Sequence, residues 1–204
     1  MLDRLSTHWR FKLASGLLMN LVILGGYHLA QGRGTTAFAI PAILGEDRLP
    51  FLPELTPLYL SSFLFSGLGF SLCVERELLR RQLVAVGLCG AVAVLCFFLW
   101  PSSCPRPTSE ANGLYACLLQ LDSPLNACPS LHAALPLLSL LALLRQKFPP
   151  LCQAGFLLWA LAIWASTLFL HQHRLIDLAA GFALAAMSWI LSSRFFTPQP
   201  RTTP

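Results

Sequence analysis

Six apolar stretches, each near the length needed to cross a bilayer, leave this chain little freedom: Phe11–Ala30, Leu52–Val74, Leu83–Trp100, Pro129–Leu144, Leu151–Leu170 and Leu175–Ser192. A spanning helix takes roughly 20 predominantly apolar residues. The fourth stretch is short and the sixth begins beside charge. Only 11% of the 204 residues are charged and 55% are hydrophobic, so no separate soluble domain fits between the spans. The expected fold is all-α, one polytopic bundle of six transmembrane helices over residues 1–196, followed by a disordered Pro/Thr-rich tail at 197–204. The first stretch carries Arg4, Arg10 and Lys12 on its flank, as a signal peptide would. It is too long for one, and His28-Leu29-Ala30 makes a poor cleavage site, so an uncleaved helix is expected.

The cations set an orientation. With the N-terminus inside, Arg4, Arg10, Lys12, Arg76, Arg80, Arg81, Arg145, Lys147, Arg194 and Arg201 fall on one side. Only Arg33, Arg48, Arg106 and Arg174 fall on the other. Because Lys and Arg are retained on the cytoplasmic side, both termini are expected there. The net charge of +5 is then a topology signal and no reason to expect nucleic acid as a partner.

The elaboration lies on the outer side, in Gln31–Pro50 and Pro101–Ala127, whereas inner connections such as Gln146–Pro150 are short and basic. Loops as long as the second outer one are often functional. Cys73, Cys89, Cys96 and Cys152 lie in or near spans and read as small apolar packers. Cys104, Cys117 and Cys128 share the long outer loop, where an oxidising compartment allows two of them to pair.

Two polar stretches interrupt the apolar pattern at the outer edge. Pro129-Ser130-Leu131-His132 opens the fourth span. Proline suits the first position of a helix, Asn126 is a candidate cap, and a helix N-terminus favours an anion such as phosphate. The second stretch holds Ser166, Thr167, His173 and Asp177. His173 and Asp177 are four apart, so a helix would let their side chains meet. A carboxylate on one imidazole nitrogen leaves the other free as base or nucleophile. Ionisable groups at membrane depth are costly and tend to be functional. Read singly, the first stretch is equally a capped helix start with an incidental histidine, and the second an interfacial ion pair beside Arg174 or His171. Their occurrence together, on one side of a small protein, favours chemistry.

At these residues the chain resembles the type 2 phosphatidic acid phosphatase superfamily of membrane lipid phosphatases and phosphotransferases, with its signatures K-x6-R-P, P-S-G-H and S-R-x5-H-x3-D. Pro129-Ser130-Leu131-His132 matches the second with Leu131 in place of Gly. Ser166, His173 and Asp177 match the third, with Thr167 where Arg is usual. The first is incomplete: Arg106-Pro107 can stand for its end, but Leu99 occupies the Lys position. The run Asn126–Ala134, the Ser166-Thr167 pair and the segment Asp47–Pro53 with Pro57 and Tyr59 are most similar to the inositol phosphorylceramide synthase-like branch. The resemblance implies a phospho-histidine mechanism without metal or other cofactor. His173 would be the nucleophile, Asp177 its partner and His132 the acid–base group. Ser130, Ser166, Arg106 and Arg174, with Arg48 behind them, would bind the phosphate of a lipid such as phosphatidate or a prenyl pyrophosphate. Transfer to an alcohol would give a phosphotransferase instead.

Two other classes compete. Gly69-Phe70-Ser71 offers a protease-like fragment, but at the inner end of its span, across the membrane from the histidines. A non-enzymatic transporter or assembly factor would use the His/Asp cluster for proton relay or stability. His171, His173 and Asp177 on one short loop make a weak metal-ligand set.

Overall fold

The computed structural model describes residues 9–31, 37–107, 113–122 and 124–195. Arg4, Arg33, Arg201 and the tail at 197–204 lie outside them. Among the described residues the helices are α1 (Trp9–Gln31), α2 (Thr56–Ser71), α3 (Arg76–Leu99), α4 (Gly113–Leu121), α5 (Leu131–Leu144), α6 (Pro150–Phe169) and α7 (Leu175–Ser193). Four of these, α1, α3, α6 and α7, are long and apolar enough to cross a membrane. The other two expected spans are shorter helices, α2 with 16 residues and α5 with 14.

Prolines account for much of the difference. Pro53 opens a 3-10 turn, Pro53–Leu55, and α2 starts only at Thr56, with Pro57 in its first turn. Both prolines sit where a missing N–H costs least. At the other end α3 begins seven residues earlier than its apolar stretch, taking Arg76, Glu77, Arg80 and Arg81 into its first turns. Pro136 lies inside α5, where it cannot donate to the His132 carbonyl, yet the helix continues to Leu144.

The short α5 is the centre of the bundle, packed against α2, α3, α6 and α7. Its buried face is rich in small residues, Ala133, Ala134, Ser139 and Ala142. Such residues let helix backbones approach closely, which is how helices associate without a hydrophobic drive between them. Two glycines complete the fit. A Cβ at Gly69 of α2 would fall within 2.7 Å of the Ser139 and Gln82 side chains, and one at Gly181 of α7 within 2.4 Å of the Ser130 carbonyl oxygen. The largest apolar core joins α1, α3, α5 and α7 through Ile23, Val86, Phe97, Leu138 and Trp189.

Among the described residues the segments between helices hold more regular structure than a purely helical reading expects. Two-residue strands β1 (Phe38–Ala39) and β2 (Ser102–Ser103) pair in parallel and tie the segment after α1 to the segment after α3. Helix α4 rises from the second loop and packs Tyr115 and Leu118 against Tyr59 of α2 and Leu170. Nothing in the periodicity of such short segments marks them as strands. The same end is closed by Leu52 N–H donating to the Phe169 carbonyl and by His171 Nε2 within 3.0 Å of the Leu49 carbonyl oxygen. At the opposite end Arg81 lies over the Trp189 ring at 4.2 Å and Arg145 at 5.4 Å. The bundle thus carries a loop-rich end and an arginine-rich end.

Candidate active site

The site forms at the loop-rich end, where α5 and α7 begin side by side. Ser130 is the N-cap of α5: its backbone is extended and its hydroxyl oxygen accepts the Ala133 N–H at 3.2 Å. The expected Pro129 helix start and Asn126 cap are therefore displaced. Pro129 follows a cis peptide bond outside the helix, while Asn126, with φ of 66°, donates through Nδ2 to the Tyr27 carbonyl. Three residues separate the sequence's candidate from the true cap, because any Ser or Asn before an apolar run can serve. Ser130→Ala leaves the Ala133 N–H without that acceptor in a buried place. It should cost about 1 kcal/mol of stability, read as a lower thermal-unfolding midpoint in detergent. An unchanged midpoint would mean that the cap contributes nothing.

His173 arrives from the other direction. Helix α6 ends at Phe169, and the loop folds back so that the His173 N–H donates to the Thr167 carbonyl at 3.3 Å. His173 and Asp177 are not on one continuous helix, since Arg174 is the N-cap of α7 and Asp177 occupies its third position. Their side chains still meet, with His173 Nδ1 3.5 Å from Asp177 Oδ2. That oxygen also accepts the Arg174 N–H at 2.8 Å, so one carboxylate both caps α7 and faces the imidazole. Asp177 is completely buried. Its backbone carbonyl accepts the Ser130 N–H at 3.1 Å, which pins the start of α5 to the first turn of α7.

His132, second residue of α5, completes the group. Its ring centroid is 5.8 Å from that of His173, the rings tilted at 49°. Its other face stacks on Tyr59 at 4.1 Å, and Phe63 meets it edge-on at 5.7 Å. Nδ1 lies 3.1 Å from the Tyr59 hydroxyl, while the buried Nε2 has no hydrogen-bond partner. Around the two imidazoles the expected residues separate. Ser130, His132, His173 and Asp177 come together. Ser166 is buried nearby, but its hydroxyl donates back to the Ile163 carbonyl at 2.6 Å, and Thr167 does the same to Trp164 at 2.7 Å. The Arg174 guanidinium is buried against Cys104, whose thiol burial pushes up to about 11. Arg106 is bound to Asp122, through Nη2 to Oδ2 at 3.1 Å and Nη1 to the backbone carbonyl at 2.8 Å. Arg48 sits exposed in a 3-10 turn, Glu46–Arg48.

Three residues enter the site that had been given no role there: Tyr59, which carried only the resemblance to one branch, Asp122 and Glu46. The Glu46 carboxylate accepts N–H groups from Ile43 and Leu44 and reaches the Leu175 N–H at 3.3 Å, helping Asp177 to satisfy the start of α7. Burial works to raise its proton affinity, but donors from Leu44, Glu46, Ile43 and Leu175 outweigh that and hold the carboxyl below its ordinary range. The α7 terminus is therefore already occupied by carboxylates. The α5 terminus carries none, and its first N–H groups, Leu131 and His132, have no intrahelical acceptor. Among the described residues no group of three or more His, Cys, Asp or Glu is placed to hold a metal ion. The seven cysteines are free thiols, Cys104 buried and Cys117 exposed.

Chemically, two imidazoles at this separation, one backed by a carboxylate and one by a tyrosine, can supply a nucleophile and a proton donor to the two ends of one breaking bond. A family model described as the PAP2 superfamily matches residues 58–191, about two thirds of the chain. Comparison with curated proteins and with solved structures gave no match.

Proposed function

The chain belongs to the PAP2 superfamily, the type 2 phosphatidic acid phosphatases, and from that premise we propose that it hydrolyses a lipid phosphomonoester or pyrophosphate through phospho-His173. Family membership carries a phosphatase or phosphotransferase type of function. The observation that carries the finer reading is the 5.8 Å approach of the His132 and His173 rings, with Asp177 behind His173. Hydrogen bonds of this kind tighten when substrate enters, so the 3.5 Å contact to Asp177 is close enough to orient His173. Nε2 of His173 attacks phosphorus as the bond to the leaving oxygen breaks. His132 gives that oxygen its proton from Nε2. Water then loses a proton to His132 and attacks the N–P bond, releasing inorganic phosphate and restoring both rings. Phosphoryl transfer needs mainly positioning and charge stabilisation. Here the negative oxygens meet the first N–H groups of α5, the Ser130 hydroxyl and Arg174. Arg106 already serves Asp122, and Ser166 would have to turn from Ile163 to contribute.

In this reading α2 and α5 complete six crossings, both termini are cytoplasmic with the arginine-rich end, and the site opens at the outer face. A site at that depth meets amphiphiles first, which favours phosphatidate or a prenyl pyrophosphate. If an alcohol replaces water at phospho-His173, the same residues make a transferase, as in the inositol phosphorylceramide synthase-like branch.

Purified protein in detergent, with EDTA present, should release phosphate from at least one member of a lipid phosphate panel. No release from any lipid, with or without an alcohol acceptor, would exclude this function.

A further inference from the structure

Behind His132 lies a chain of polar groups that the phosphatase reading leaves without a task. The Tyr59 hydroxyl is 3.1 Å from His132 Nδ1, and the Tyr59 ring is almost fully buried against the imidazole. Beyond that hydroxyl lies the Asp122 carboxylate, near enough to act on it electrostatically. Asp122 also accepts the Tyr27 hydroxyl and the Arg106 guanidinium. The Arg106 side chain is buried, 5% exposed, and that of Asp122 is partly buried, 16% exposed. Removing either partner would leave an uncompensated buried charge, so the pair is held strongly.

The direction of the chain follows from its end. An ionised carboxylate only accepts hydrogen bonds, and a tyrosine hydroxyl has one proton to give. With that charge behind it, the Tyr59 O–H turns toward Asp122 and the oxygen offers His132 a lone pair. Nδ1 of His132 must then carry the proton, and Nε2, which no protein group meets, is the nitrogen that gains and loses one. We propose that Tyr59, fixed by the Asp122–Arg106 pair, is a positioning residue that sets the tautomer and ring orientation of His132. This rests on the reading of His132 as the acid–base group. It makes the two halves of the site alike: Asp177 faces Nδ1 of His173 directly, and Asp122 acts on Nδ1 of His132 through a tyrosine. It also gives Arg106 a task other than phosphate binding. The Asp122 carboxylate would repel a phosphate, so an arginine committed to it is poorly available as a substrate ligand.

The test is ¹⁵N NMR of the full chain in detergent with labelled histidine, the His132 signals identified by their loss in His132→Gln. In the neutral ring of the wild type Nδ1 should be protonated and Nε2 bare. Tyr59→Phe keeps the stacked ring but removes the hydroxyl, and should move most of the population to the Nε2-protonated form while the His173 signals stay in place. The same variant should lower kcat about 10–100-fold, within the range one acid–base group supplies, with KM little changed. An Nε2-protonated His132 in the wild type, or an unchanged tautomer in Tyr59→Phe, overturns the proposal. If Tyr59→Phe does not fold, Asp122→Asn is read instead, because its amide can donate to the tyrosine and reverse the chain. The expected tautomers without any phosphate release would keep the positioning role and discard the phosphatase reading. Release with the wrong tautomer would do the opposite.

Discussion

His173→Ala should abolish phosphate release and every trace of covalent phosphorus on the protein, while His132→Ala should keep the label and lose the turnover. The difference follows from what each ring does. Without His173 there is no nucleophile within the pocket, and the remaining groups only bind. Without His132 the departing oxygen receives no proton and water loses its base, so both steps slow by about 10²–10⁴-fold. The two slow unequally when the leaving group changes. Attack on the terminal phosphorus of a prenyl pyrophosphate expels the prenyl monophosphate, which tolerates its negative charge, so phospho-His173 still forms. Its hydrolysis needs the base and stalls. Incubation of His132→Ala with a ³²P-labelled pyrophosphate should therefore leave acid-labile, base-stable label on the chain, the signature of an N–P bond. Wild type should show only a transient trace, and His173→Ala none. Label that persists in His173→Ala would move the nucleophile elsewhere, and turnover by that variant would remove it from the mechanism altogether. The 5.8 Å approach of the rings makes the experiment worth doing first, since both must reach the same phosphoryl group, one at phosphorus and one at the leaving oxygen.

The four residues that meet at the site, Ser130, His132, His173 and Asp177, were legible as two motifs at the edges of apolar stretches. The parts that were not legible share a physical cause. Ser130, Pro129 and Asn126 all have cap or turn chemistry, and only the fold decides which of them starts α5. Tyr59 sits in the first turns of a helix that any apolar sequence could form, and its worth comes from facing His132 across 73 residues of chain. Asp122 is an isolated carboxylate in a long loop, with no spacing relation to Arg106 or Tyr59. Arg106 looked like a phosphate ligand because Arg106-Pro107 can stand for the end of the first signature, but its acidic partner is sixteen residues away. Helix lengths fared similarly. Hydropathy marks where apolar residues lie, but α3 runs through its charged start, and α2 waits for its prolines to pass. Local pattern finds the reacting groups, whereas the groups that hold them are fixed by long-range contacts.

Gly181→Ala should damage the enzyme far more than its size suggests, because α5 and α7 touch there through backbone. The added Cβ would stand 2.4 Å from the Ser130 carbonyl oxygen and 3.0 Å from the Ala133 Cβ. Neither is the far end of a flexible side chain, so the helices themselves must part. Overpacking of this kind costs about 1–3 kcal/mol, less whatever alanine returns in helix propensity, up to about 1 kcal/mol. The catalytic loss should be larger. Ser130 N–H to Asp177 carbonyl, at 3.1 Å, is the bond that sets α5 against α7. His132 rides on the first of these helices and Asp177 on the second. A misplacement of about 1 Å between reacting groups can cost about 100-fold, so phosphate release should fall by that order even where the protein remains folded. Gly155→Ala in α6 is the control, since nothing lies within 4 Å of its added Cβ, and it should leave activity intact and stability equal or higher. Thermal unfolding and phosphate release measured on both variants separate the two costs. If Gly181→Ala keeps wild-type turnover, the approach of α5 to α7 is not what aligns His132 with His173. A large loss of turnover with a small loss of stability would place the alignment in the backbone contact itself, independent of any side chain that touches phosphate.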